Sequence, residues 1–112
     1  MWQKAMGLVE LTYRLSRAFP SEERYGLTSQ VRRSAVSVPS NIAEGQGRGS
    51  AGEFRQFLGN ARGSLYEVET QMRLATMLGF LSEANAEHFF ALSEEVAKLL
   101  NALRQSLATT NN

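Results

Sequence analysis

Residues 50–77 read SAGEFRQFLGNARGSLYEVETQMRLATM, and their spacing decides the fold. Phe54, Leu58, Ala61, Leu65, Val68, Met72 and Ala75 recur every three or four residues, the seam of a helix that packs along its whole length. Ser50, with Glu53 three residues on, makes a capping box, so the helix is expected over 51–77. Gly59 and Gly63 lie four apart on another face, where a neighbouring backbone can come close. Each glycine costs up to about 1 kcal/mol in helix propensity.

Reading outward, Gly45-Gln46-Gly47-Arg48-Gly49 is the clearest linker in the chain. Before it a helix is expected over 28–45, opened by Thr28 or Ser29 and carrying Val31, Ala35, Val38 and Ile42. Pro39 lies inside that helix and cannot bond to the carbonyl of Ala35. A kinked continuous helix is expected there. The alternative is a break, with Ser37 or Ser40 capping a second short helix. Pro20 stops a first helix over 2–19. That helix has two apolar stripes: Trp2, Ala5, Met6, Val9 and Tyr13, and beside them Leu8, Leu11, Leu15 and Ala18. So broad a surface implies burial on more than one side.

Downstream, Gly79 is expected to end the third helix, and Ser82 to cap a fourth over 83–107 with Glu83 in its first turn. Phe89, Leu92, Val96, Leu99, Leu103 and Leu107 form its expected seam, widened by Phe90 and Leu100. A polar tail from Ala108 to Asn112 is expected to fray. Four helices joined by three short loops predict an all-α fold, an up-down-up-down antiparallel four-helix bundle, as a single domain over 1–112.

The 112 residues suit one domain with a modest core, and 43% hydrophobic with 21% charged residues argues against disorder. The chain has no Cys, which excludes disulfides and thiolate metal sites and suits a reducing, cytoplasmic setting. No run of 18 apolar residues predicts a membrane span, and Met1 to Glu10 lacks the features of a signal peptide. Net charge is only +1, but residues 1–64 carry nine basic residues against five Glu, and residues 65–112 three against six. Nearly all the basic residues are Arg, whose fork suits phosphate.

Motifs for catalysis fail one by one. Gly47 to Gly52 satisfies G-x-G-x-x-G, but a helix precedes it and no strand surrounds it. The single His88 has no Glu three residues before it and no basic residue between Met77 and itself, against both a dimetal bundle site and a nucleolytic one. There is no Asp; Glu67 and Glu69 point to different sides of their helix; no serine has a base. No enzyme is expected, and no catalytic, cofactor-binding or metal-binding residue. One polar row remains: Arg33, Ser37, Asn41 and Glu44 share faces of the second helix. It reads either as a structural network, satisfying itself or the backbone freed by Pro39, or as a ligand or partner surface.

The run from Gly26 to Gly45, with its core Ser37-Val38-Pro39-Ser40-Asn41-Ile42-Ala43-Glu44-Gly45, closely resembles the bacterial four-helix bundle protein family, also called the 23S rRNA intervening-sequence protein family. Phe19-Pro20 with Glu23 and Tyr25-Gly26-Leu27 resembles its first loop, Glu53-Phe54 and Ala61 to Thr70 its third helix, and Leu78-Gly79-Phe80-Leu81 the end of that helix. The resemblance implies a small bundle, often encoded within 23S rRNA genes. Related accessory proteins of diversity-generating retroelements form pentamers and bind nucleic acid and a reverse transcriptase through basic surfaces. This chain departs from those in being nearly neutral. A pentamer would account for the broad apolar first helix and for Gly59 and Gly63.

Two functional expectations follow. In the first, the protein is a homo-oligomer that binds RNA or a ribonucleoprotein, with Arg14, Arg17, Arg32, Arg33, Arg48, Arg55 and Arg62 as candidate phosphate contacts. Little aromatic interleaving is expected to support base stacking. In the second, it is a protein–protein assembly module with no nucleic-acid role.

Overall fold

In the computed structural model, which describes residues 1–108, four helices follow the chain in order. They are α1 (Trp2–Ser16), α2 (Leu27–Gln46), α3 (Ala51–Met77) and α4 (Glu83–Ala108), with a short 3-10 turn at Ser21–Glu23. Of the tail expected to fray, Ala108 is still in α4, and residues 109–112 lie outside the described ones. Each helix packs on two neighbours: α2 and α4 flank α1, and they flank α3 as well. Paired positions run in opposite directions. Ser37 meets Ser64, and Gly45 meets Phe57, while Glu69 meets Ser93 and Arg62 meets Asn101. The bundle is therefore antiparallel.

The core is one continuous apolar cluster. Leu8, Val31, Ile42, Leu58, Leu65, Met72, Phe89 and Leu100 are fully buried within it. The α3 seam lies where its spacing puts it, with Phe54 packed at the edge. On α4 the centre falls elsewhere: Ala86, Phe89, Ser93, Val96 and Leu100 are buried, and Leu99 is exposed. Adjacent leucines at 99 and 100 make the stripe ambiguous in sequence, and Ser93 reads as surface. It is fully buried because its hydroxyl donates to the Glu69 carboxylate of α3.

Helix ends are set locally, and several differ from expectation. α1 ends at Ser16 instead of Phe19, because the N–H groups of Arg17, Ala18 and Phe19 bond three residues back and tighten the chain before Pro20. The chain then turns inward and buries Phe19, whose ring lies 5.9 Å from Phe80. Neither Thr28 nor Ser29 caps α2. The helix starts at Leu27, whose N–H donates to Glu23 Oε1 at 3.0 Å. α2 runs unbroken through Pro39 to Gln46, so Gly45 is a buried helix residue and not part of the linker.

At α3 the Ser50 hydroxyl accepts from the N–H of Glu53 at 3.1 Å, as the capping box requires. At its other end Gly79 takes φ +82°, and Phe80 and Gly79 donate to the carbonyls of Ala75 and Thr76, at 2.8 and 3.1 Å. That Schellman arrangement delivers Phe80 to Phe19. Ser82 caps α4 by accepting from Asn85 at 3.1 Å.

Candidate nucleic-acid interface

Arg104 of α4 is held against α3 at Gly59. A Cβ on Gly59 would lie 3.5 Å from Nη2 and 3.6 Å from Nε of Arg104, an ordinary contact distance, so the guanidinium packs directly on α3 there. Gly63, by contrast, has nothing within 4 Å of its Cβ position. Arg55 and Arg62 stand one turn before and one turn after Gly59 on the same side of α3. Arg62 Nη1 donates to Asn101 Oδ1 at 3.2 Å, which places it beside Arg104, one turn along α4.

These three arginines are uncompensated. Among the described residues the ion pairs join Lys4 to Glu95, Arg48 to Glu44 and Lys98 to Glu94, and none reaches the cluster. The Arg104 Nε is closed off from solvent and has no hydrogen-bond partner among the described residues. Burial presses the Arg104 pKa below its ordinary value, repulsion from Arg62 and Arg55 adds to this, and Tyr66 works the other way. An arginine stays protonated regardless, so the shift is a destabilisation of the charged form and opens no titration window. Three like charges without a carboxylate partner draw an anion to their exposed side, and phosphate oxygens match the arginine fork.

One consequence can be checked on stability alone. Arg104→Met keeps the aliphatic stem and removes a charge repelled by Arg62 and Arg55. Its thermal midpoint should equal or exceed that of the unaltered chain at equal protein concentration. A fall of more than about 1 kcal/mol would mean that the guanidinium holds the bundle together.

The other expected phosphate contacts are placed differently. Arg32 is tied into the fold: Nε donates to Ser16 Oγ at 2.8 Å, and the guanidinium lies 4.8 Å from the centre of the Tyr13 ring. Arg48 pairs with Glu44 at 2.9 Å and lies over Phe57. Arg14 and Arg17 are exposed at the end of α1. Arg33 is exposed on a groove of about 570 Å³ between α2 and α3, lined by Gln30, Ser34, Ser37, Glu67 and Gln71. The antiparallel order puts Arg14, Arg17, Arg32 and Arg33 towards one end of the bundle and Arg48, Arg55 and Arg62 towards the other. Arg104, missing from the expected set, joins the second group. Its spacing alone does not mark it: 104 continues the buried α4 stripe 93, 96, 100 one turn on, and an arginine there gains meaning only from α3 beside it.

The polar row on α2 is brought together only in part. Asn41 Nδ2 donates to the Ser37 carbonyl at 2.8 Å and to its hydroxyl at 3.0 Å, and that hydroxyl meets Ser64 Oγ of α3 at 2.8 Å. Arg33 and Glu44 stand outside this network, since Glu44 pairs with Arg48 and Arg33 faces the groove. Asn41 also serves the Ser37 carbonyl and not that of Ala35. Aromatic interleaving is richer than expected: Arg24 lies over Tyr25 and Arg62 over Tyr66, both rings exposed.

A separate apolar surface joins α1 and α2. Trp2, Met6, Tyr13 and Val36 are each at least 40% exposed, and a groove lined by Trp2, Met6, Val9, Val36, Pro39 and Ala43 runs between the helices. One of the two α1 stripes is thus core, and much of the other faces outward. No helix among the described residues is long and apolar enough to cross a membrane, and no group of three or more His, Cys, Asp or Glu there could hold a metal.

Comparison with known proteins fits this architecture. The model of the 23S rRNA-intervening sequence protein family matches residues 1–102. A protein of unknown function from the S23 ribosomal protein family of Bacteroides thetaiotaomicron has a similar crystal structure, with a TM-score of 0.85 at 22% identity, covering 92% of this chain and 96% of that one. At that identity the likeness speaks for the fold alone. No curated protein shows a match.

Proposed function

The chain belongs to the 23S rRNA-intervening sequence protein family, and from that membership we propose that it is a non-enzymatic, self-assembling protein of the cytoplasm that binds RNA or a ribonucleoprotein. One observation carries the reading: Arg55, Arg62 and Arg104 converge, and no ion pair among the described residues supplies them a counter-charge. A phosphate backbone supplies what is missing, and it does so without regard to sequence. Self-association is supported by the exposed apolar face of α1 and α2. Five subunits are the expected number if the chain follows the retroelement accessory proteins it resembles, which sedimentation velocity can count.

The test is fluorescence anisotropy of a labelled structured RNA titrated at low and at near-physiological salt. Binding is expected at micromolar Kd or tighter. With three phosphate contacts per protomer, log Kd should rise with log salt at a slope of about 2 to 3. Arg62→Gln/Arg104→Gln should lower that slope by about two units and weaken binding at least tenfold. These two residues are better targets than Arg32, whose removal would also loosen the end of α1. Absence of binding at low salt would sink the RNA role and leave the α1–α2 face, and a protein partner, as the working part.

A further inference from the structure

We infer that the arginine cluster of α3 and α4 receives a single-stranded, unpaired segment of RNA, with one base stacked on Tyr66. This rests on the phosphate-binding reading above and says which form of RNA the site takes. The observation behind it is a stripe of α3. Arg55, Gly59, Arg62 and Tyr66 follow at intervals of four, three and four residues, so they share one face. Arg104 lies over Gly59 in the middle of that stripe. Tyr66 is 49% exposed, and the Arg62 guanidinium stands 6.0 Å from the centre of its ring. The ring lies one turn past Arg62 on that face, so ring and cluster belong to one surface.

The chemistry separates RNA forms. In a duplex the faces of the bases are covered by their neighbours, and an A-form helix offers a protein its phosphates and shallow groove. An exposed aromatic beside guanidinium groups has nothing to stack on there. In an unpaired strand each base has a free face, and such rings bind it with little regard to sequence.

The length agrees. Arg55 to Tyr66 spans eleven residues, about 16 Å along the helix, or some four to five nucleotides of a stacked strand at about 3.4 Å each. One turn past Tyr66 on the same side is Glu69, the partner of Ser93, and its carboxylate ends the basic stripe. Tyr25 is more exposed and also has an arginine over it, but Arg24 is its neighbour in the chain and no cluster of arginines stands around it. Tyr66 alone combines an open ring with three uncompensated cations.

The experiment compares two labelled probes by anisotropy: an unstructured 12-nucleotide uridine-rich RNA and a blunt 12-base-pair RNA duplex. The single strand is expected to bind about tenfold more tightly or better. Tyr66→Ala should weaken it about 5- to 100-fold, with Tyr66→Phe close to the unaltered protein. To avoid dependence on how a variant folds or assembles, a 5-bromouridine-substituted strand is irradiated on the unaltered protein. Its crosslink is expected on the peptide carrying Tyr66. Equal affinity for both probes, full affinity in Tyr66→Ala, or crosslinks confined to other peptides would each overturn the single-strand assignment and leave phosphate binding standing. Binding of neither probe at low salt would overturn both.

Discussion

Gly45→Ala should destabilise the bundle by about 1–3 kcal/mol, although alanine is the better helix former. Gly45 is buried in α2, and a Cβ there would meet Phe57 Cβ at 2.7 Å and Phe54 Cδ1 at 2.9 Å. A Cβ atom of the α3 helix cannot swing aside as the tip of a long side chain can, so the two helices must separate near their joining loop. Gly63→Ala is the matched control. It is also in a helix, its Cβ position is open, and the same change should raise stability by about 0.5–1 kcal/mol. Denaturant midpoints, taken at one protein concentration because assembly contributes to apparent stability, give the signs directly. A stabilising Gly45→Ala would mean that α2 and α3 are not pressed together at this point.

Phe89→Ala is expected to cost about 3–5 kcal/mol, enough to unfold much of the population of a marginally stable domain. Phe89 is the largest of the fully buried side chains, and it meets Phe90 edge-on with ring centres 5.1 Å apart. Its ring is part of the one apolar core. Removing it leaves a void that rigid helices close only in part. Leu99→Ala, one residue off the buried stripe, should cost far less, because that side chain is 38% exposed. If the two substitutions cost the same under denaturant, the buried stripe of α4 is misassigned.

That pair also shows where the sequence is legible. Periodicity located all four helices, and the capping box at Ser50 and the Gly79 terminator were readable because each depends on residues a few positions apart. The tilt of the α4 seam was not. Leucines at 99, 100 and 103 fit two stripes equally, and the choice rests on Ser93 reaching Glu69 on another helix. The glycines show the same division. Gly59 and Gly63 look alike in sequence, yet only Gly59 has a neighbour, and the tightest approach is at Gly45, which reads as linker. Of the candidate site, Arg55 and Arg62 were legible as arginines on one side of α3. Arg104 was not, because an arginine continuing an apolar stripe makes sense only once Gly59 is seen beneath it.

The register between α3 and α4 is held at widely separated points: Gly59 under Arg104, Arg62 on Asn101, Glu69 on Ser93 and Arg73 over Phe90. One residue inserted into the middle of α3 would turn everything beyond it by about 100° and slide it by about 1.5 Å, breaking the later pairs together. The bundle therefore tolerates exchange of side chains better than gain or loss of residues within the paired helices. Change in length is left to the loops and the two ends of the chain.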